Sequence, residues 1–202
     1  MSNKLAGQVA LVTGASKGIG AAIARHLAAE GASVVVNYSS SKAGADKVVA
    51  DIARQGGKAV AVQANLSQPA DVEKLFAETR KAFGKLDVLV NNAGIYQFAP
   101  IEEVTPELFH QQFDLNVLGL LLASKEAVKL FGDKGGNIIN ISSVVATLAP
   151  PHTSVYSATK AAVNAITRSL AQELAHTELP VGCCRPRRRS EVRVRRTRSY
   201  QS

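Results

Sequence analysis

Five short runs rich in β-branched residues punctuate the chain: VALVT at 9–13, SVVVN at 33–37, AVAVQ at 59–63, LDVLVN at 86–91 and NIINIS at 137–142. They are nearly all apolar rather than alternating, the pattern of strands covered on both faces. Between them, apolar residues recur every three to four positions and predict helices near 18–30, 41–55, 70–82, 105–131 and 154–176. Strand and helix alternate throughout. The pattern therefore predicts an α/β fold, a Rossmann-type doubly wound parallel sheet built from successive βαβ units. No internal repeat or linker divides the chain, and 202 residues fit one domain.

Composition alters this picture at one end only. The net charge is +8, which by itself suggests an acidic partner. From Val181 onward, however, eight arginines face a single acid, Glu191, so this segment holds +7 and the remainder is close to neutral. Residues 1–180 are expected to fold as a dinucleotide-binding and catalytic domain. Residues 181–202 are expected to be an Arg-rich disordered tail, low in hydrophobicity and high in charge.

Cys183 and Cys184 are adjacent and the histidines at 26, 110, 152 and 176 are scattered, so neither a disulfide framework nor a metal site is expected. Gly and Lys come too early for a signal peptide, and the longest apolar run, VLGLLLA, is far shorter than a membrane span. These features point to a cytoplasmic protein with no membrane partner.

TGASKGIG at 13–20 places glycines between the first strand and the first helix. Alone, such a turn is a tight connection. At the start of a βαβ pattern it reads as a phosphate cradle made by Gly14, Ser16, Lys17, Gly18, Ile19 and Gly20, with glycine allowing close approach and the helix N-terminus offering N–H donors. The second strand ends in Asn37, followed by Tyr38, Ser39 and Ser40, where an acid would bind a ribose 2′-OH and repel a 2′-phosphate. The missing acid and the cation at Lys17 favour NADP(H), with NAD(H) as the alternative.

Tyr156 and Lys160 lie four apart, on one face of the last helix. A neighbouring ammonium stabilises a phenolate and brings proton exchange nearer neutrality. Ser143 precedes Tyr156 by thirteen residues and follows the fifth strand, where ligands of open parallel sheets bind.

These motifs, together with NNAG at 91–94 and Asn116 in NVLG, resemble the short-chain dehydrogenase/reductase family over about residues 5–175. ALVTGASKGIG, VVVNYSSS and NIINISSVVA look most like its 3-oxoacyl-acyl-carrier-protein reductase and glucose-dehydrogenase-like branch. The resemblance implies Tyr156 as general acid in reduction, Lys160 as the group that lowers its pKa and holds the nicotinamide ribose, and Ser143, rather than Ser142, orienting the carbonyl. It implies a proton-relay water on Asn116, an adenine pocket walled by Asn92, Ala93 and Gly94, and Asn65 where the family has Asp. A small carbonyl, alcohol or acyl-thioester substrate and a homodimer or homotetramer are implied likewise.

In the family a sixth strand ends in Val-Ala-Pro-Gly where this chain has Cys184-Arg185-Pro186-Arg187-Arg188. The codons TGT-CGC-CCC-CGG-CGN encode the latter, and one nucleotide later they read Val-Ala-Pro-Gly. The tail is therefore expected to be a frameshifted segment that leaves the sheet without its last strands, and the alternative to an active reductase is an impaired remnant that at most binds nucleotide or an intact homologue. The competing expectation is a basic arm for nucleic acid, disfavoured because its lone aromatic, Tyr200, offers no stacking platform.

Overall fold

A computed structural model describes residues 3–174 and 180–184. Among them, six strands form one parallel sheet: β1 (Val9–Val12), β2 (Ser33–Tyr38), β3 (Lys58–Gln63), β4 (Val88–Asn91), β5 (Asn137–Ile141) and β6 (Val181–Cys184). Their order is β3-β2-β1-β4-β5-β6. Parallel neighbours need crossovers. These are α1 (Gly18–Ala29), α2 (Lys42–Arg54) and α3 (Pro69–Phe83), then α4 (Pro106–Phe113) with α5 (Gly119–Phe131), and finally α6 (Val145–Leu148) with α7 (Ser154–Glu173). The strand order reverses between β1 and β4, which opens a crevice at their carboxyl ends.

Strand side chains alternate faces, and β1 shows both. Ala10 and Val12 join Val34, Val36, Ala24, Val48 and Ile52 on the face covered by α1 and α2. Val9 and Leu11 join Val35, Leu89, Leu75, Phe76, Ala123 and Ala127 on the face covered by α3 and α5. Two-sided burial is why the strands lack alternation in sequence.

The structure corrects two expectations. The helix predicted over 105–131 is split by a π turn at Asp114–Leu118 between α4 and α5. Asn116, in that turn, bonds both backbone groups of Ile95, and one extra residue per turn accommodates this grip. The disorder expected from 181 does not hold for Val181–Cys184, which pairs in register with Ile138–Ile141 as β6. Averaging over 181–202 hides an uncharged VGCC start, and Val181 is buried against Ile138 on the α3–α5 face. The arginine-rich segment from Arg185 lies outside the described residues.

Candidate active site

The glycine turn closes over the end of β4. Gly14 has φ +61, a left-handed conformation that favours glycine, and a Cβ there would stand 2.9 Å from Ala93 Cα. A side chain at Gly20 would meet the Gly14 carbonyl oxygen at 2.6 Å. α1 then starts with no side-chain cap and no acid in its first turn. Its first N–H groups suit a pyrophosphate, so these residues fit a dinucleotide. Ser16 is half-buried there, and Lys17, Gly18 and Ile19 are exposed.

Thr13, which the sequence reading did not single out, joins the two halves of the crevice. Its Oγ1 accepts from Asn92 N at 3.0 Å and Ala93 N at 2.9 Å, and donates to the Val90 carbonyl at 3.3 Å. Asn92 Nδ2 answers by donating to the Thr13 and Gly14 carbonyls at 2.9 and 3.0 Å. NNAG thereby locks the glycine turn onto β4. A Cβ on Gly94 would lie 3.1 Å from Asn116 Oδ1 and 3.6 Å from Lys160 Nζ, so this motif also faces the reacting groups.

Asn37 is placed differently from a ribose contact. Only 1% exposed, it accepts from Gly14 N at 3.0 Å and donates to the Ala64 carbonyl at 3.1 Å. It braces the turn from beneath. Tyr38 is also buried, and Ser39 and Ser40 are the first exposed residues after β2. Asn65 Oδ1 already accepts from Ser67 N and Oγ, at 3.2 and 2.9 Å.

Ser142 and Ser143 leave β5 in opposite directions. Ser142 is buried and donates to the Lys160 carbonyl at 3.2 Å, whereas Ser143 is half-buried beside Tyr156. On α7, Lys160 is buried, with Nζ donating to the Ile141 carbonyl at 2.9 Å and standing 6.0 Å from the centre of the Tyr156 ring. Burial pushes the Tyr156 phenol above its ordinary value, the Ser143 hydroxyl pulls it down, and Tyr96 pushes it up a little.

Asn116 is buried in the π turn. It accepts from Ile95 N at 2.9 Å and donates to the Ile95 carbonyl at 2.8 Å and to Thr159 Oγ1 at 3.1 Å. Thr159 Oγ1 in turn donates to the Tyr156 carbonyl at 2.8 Å. Thr159, like Thr13, escaped sequence reasoning. Both sit inside recognisable motifs, but the side-chain or loop groups they hold, Asn92 and Ala93 for Thr13 and Asn116 for Thr159, lie dozens of residues away and leave no local signal.

Among the described residues no cluster of metal-ligating side chains occurs, and no helix is long and apolar enough to cross a membrane. The short chain dehydrogenase family model matches residues 8–194. An uncharacterized oxidoreductase of Methylorubrum extorquens is 58% identical over 184 residues, covering 91% of this chain and 74% of that protein. A 3-oxoacyl-acyl-carrier-protein reductase of Synechocystis is 45% identical over 183 residues, covering 90% and 74% respectively. A solved short chain dehydrogenase from Burkholderia cenocepacia, in complex with NADP, superposes with a TM-score of 0.86 at 40% identity, covering 90% of this chain and 74% of that one. With the cradle, the switch-point crevice and the Ser143, Tyr156 and Lys160 side chains converging as described, the chain belongs to the short-chain dehydrogenase family of oxidoreductases.

Proposed function

We propose that the protein is an NADP(H)-dependent oxidoreductase that interconverts a small-molecule carbonyl and a secondary alcohol. The observation that carries this is the meeting of the Tyr156 phenol, the Ser143 hydroxyl and buried Lys160 across from NNAG, which also closes the glycine turn. Gly14, Ser16, Gly18, Ile19 and Gly20 would hold the pyrophosphate, Ala93 and Gly94 the adenosine and nicotinamide sides. Preference for NADP(H) over NAD(H) rests on the exposed Ser39, Ser40 and Lys17, and on a stretch from 37 to 45 with no carboxylate. The NADP-bound Burkholderia relative supports it.

When bound, the dinucleotide supplies the hydride. The chain's own residues handle the oxygen. In reduction Tyr156 gives its proton to the carbonyl oxygen, and Ser143 donates a hydrogen bond that stabilises the charge developing there. Lys160 holds the ribose and favours the phenolate left behind. Asn116 ties the Ile95 loop to the α7 turn that carries Tyr156. The Synechocystis relative places 3-oxoacyl chains among the candidate carbonyls, and a homodimer or homotetramer is the assembly expected of such an enzyme.

The test is NADPH consumption with a panel of ketones and β-ketoesters. Turnover abolished by Tyr156→Phe supports the proposal. Nucleotide binding with no turnover on either NADPH or NADH would instead favour a remnant that binds without catalysing.

A further inference from the structure

Segment 92–100, between β4 and the 3-10 turn at Ile101–Glu103, has no regular structure, yet it is pinned at several points. Gln112 of α4, fully buried, accepts from Gln97 N at 3.4 Å and donates to the Gln97 carbonyl at 3.2 Å. Ala99 N donates to the His152 carbonyl at 2.9 Å, which ties the segment to the loop before α7. With the Gln97 backbone turned toward Gln112, its neighbours Tyr96 and Phe98 are held against Tyr156.

The three rings surround one point. Centroids are 5.5 Å apart for Tyr96 and Phe98, 6.0 Å for Tyr96 and Tyr156, and 6.1 Å for Phe98 and Tyr156, tilted by 35°, 56° and 51°. Such spacings are those of interacting aromatic pairs. Yet Tyr96 is 71% and Phe98 54% exposed, so two large rings stand open beside the Tyr156 ring. Leu148 and Val144, from the Ser143 side, are exposed as well.

Charge narrows the ligand. Residues 95–104 carry two exposed acids, Glu102 and Glu103, and no lysine or arginine, while 143–155 carry no Lys, Arg, Asp or Glu at all. Among the described residues, a phosphate-tethered thioester finds no cation on these two segments and two carboxylates that repel it. A neutral flat ring finds aromatic faces.

The geometry points to Tyr96 and Phe98 as an aromatic platform, braced by Gln112, that selects a planar fused-ring ketone at Tyr156; this rests on the carbonyl reductase proposed above. The experiment compares 2-tetralone with its saturated analogue 2-decalone and with acetoacetyl-coenzyme A. Wild-type kcat/KM for 2-tetralone should exceed that for 2-decalone about tenfold, mainly through KM, and acetoacetyl-coenzyme A should be the poorest. Tyr96→Leu with Phe98→Leu keeps apolar area but removes the rings. It should erase the preference, raising the KM for 2-tetralone about tenfold relative to that for 2-decalone.

A preference that survives the double variant, its absence in wild type, or a coenzyme A thioester as best substrate overturns the platform. If no ketone turns over, the carbonyl reductase assignment fails instead. The platform is then read by saturation-transfer NMR with 2-tetralone and 2-decalone. A 2-tetralone signal that exceeds the 2-decalone signal and is lost in the double variant supports it, and equal signals overturn it.

Discussion

Thr13 is buried to 1% exposure, and burial alone would be served equally well by valine. Thr13→Val keeps the branched shape and deletes the oxygen that accepts from Asn92 N and Ala93 N. The Val90 carbonyl keeps a partner, because Thr13 N donates to it at 3.0 Å. The loss therefore falls on two half-buried backbone N–H groups. Each left unpaired costs about 1–2 kcal/mol, set against a gain of about 1 kcal/mol for burying a methyl in place of a hydroxyl. The expected net destabilisation is about 1–3 kcal/mol, a fall in the urea midpoint of about 0.5–1.5 M for a slope near 2 kcal/mol/M. Nucleotide affinity should fall too, since these bonds set the glycine turn on β4. Thr13→Ser retains the acceptor and should lose only about 1 kcal/mol of packing, with nucleotide affinity unchanged. A Thr13→Val protein as stable as wild type, or more so, would refute the reasoning, for it would show that the methyl outweighs both hydrogen bonds.

Tyrosinate absorbance, wild type minus Tyr156→Phe, should give a midpoint above the ordinary 10.0, and Ser143→Ala should raise it further by removing a hydrogen bond that favours the phenolate. Because the folded phenol holds its proton more tightly than the unfolded one, its contribution to stability is complete below about pH 10 and is lost as pH rises through the folded value; a midpoint below 10 in the free protein contradicts the assigned burial. Gly20→Ala should destabilise in urea more than Gly18→Ala. The first forces a Cβ against the Gly14 carbonyl, whereas the second meets nothing within 4 Å and carries only the strain of φ +57, about 1 kcal/mol. Beneath the site, Asn91 Nδ2 donates to Ser124 Oγ at 3.1 Å and to Asn140 Oδ1 at 2.9 Å, and Asn140 Nδ2 donates to Thr167 Oγ1 at 2.9 Å. Asn140→Ala and Thr167→Val remove the same bond, so a double-mutant cycle should show coupling of about 1 kcal/mol, and strict additivity would disprove the contact.

The apolar runs predicted five strands because burial on both faces keeps most of their positions apolar, with the few polar ones, such as Asn37, Asn91 and Asn140, buried in hydrogen bonds. The TGASKGIG turn was legible for a similar reason, since left-handed φ at Gly14 and Gly18 and the closed space at Gly14 and Gly20 leave a residue signature. Other features had none. The bond from Thr13 to Asn92 spans 79 positions and that from Gln112 to Gln97 spans 15, so no local period betrays either. A single π turn shifts the helical phase at 114–118 too little to break the apolar rhythm of 105–131.

Asn37 shows how position in sequence can be read correctly and still mislead about role. Standing at the end of β2, it was expected to meet the ribose, and its lack of charge to favour a 2′-phosphate. Within the fold it must both accept, from Gly14 N, and donate, to the Ala64 carbonyl. An aspartate could do the first but not the second, and would bury a charge at a position 1% exposed. The amide there has a structural cause, independent of the nucleotide. Discrimination against NAD(H) must then come from the exposed groups around it, and substitution of Ser39, Ser40 or Lys17 should shift the ratio of NADPH to NADH affinity while Asn37→Asp chiefly lowers stability.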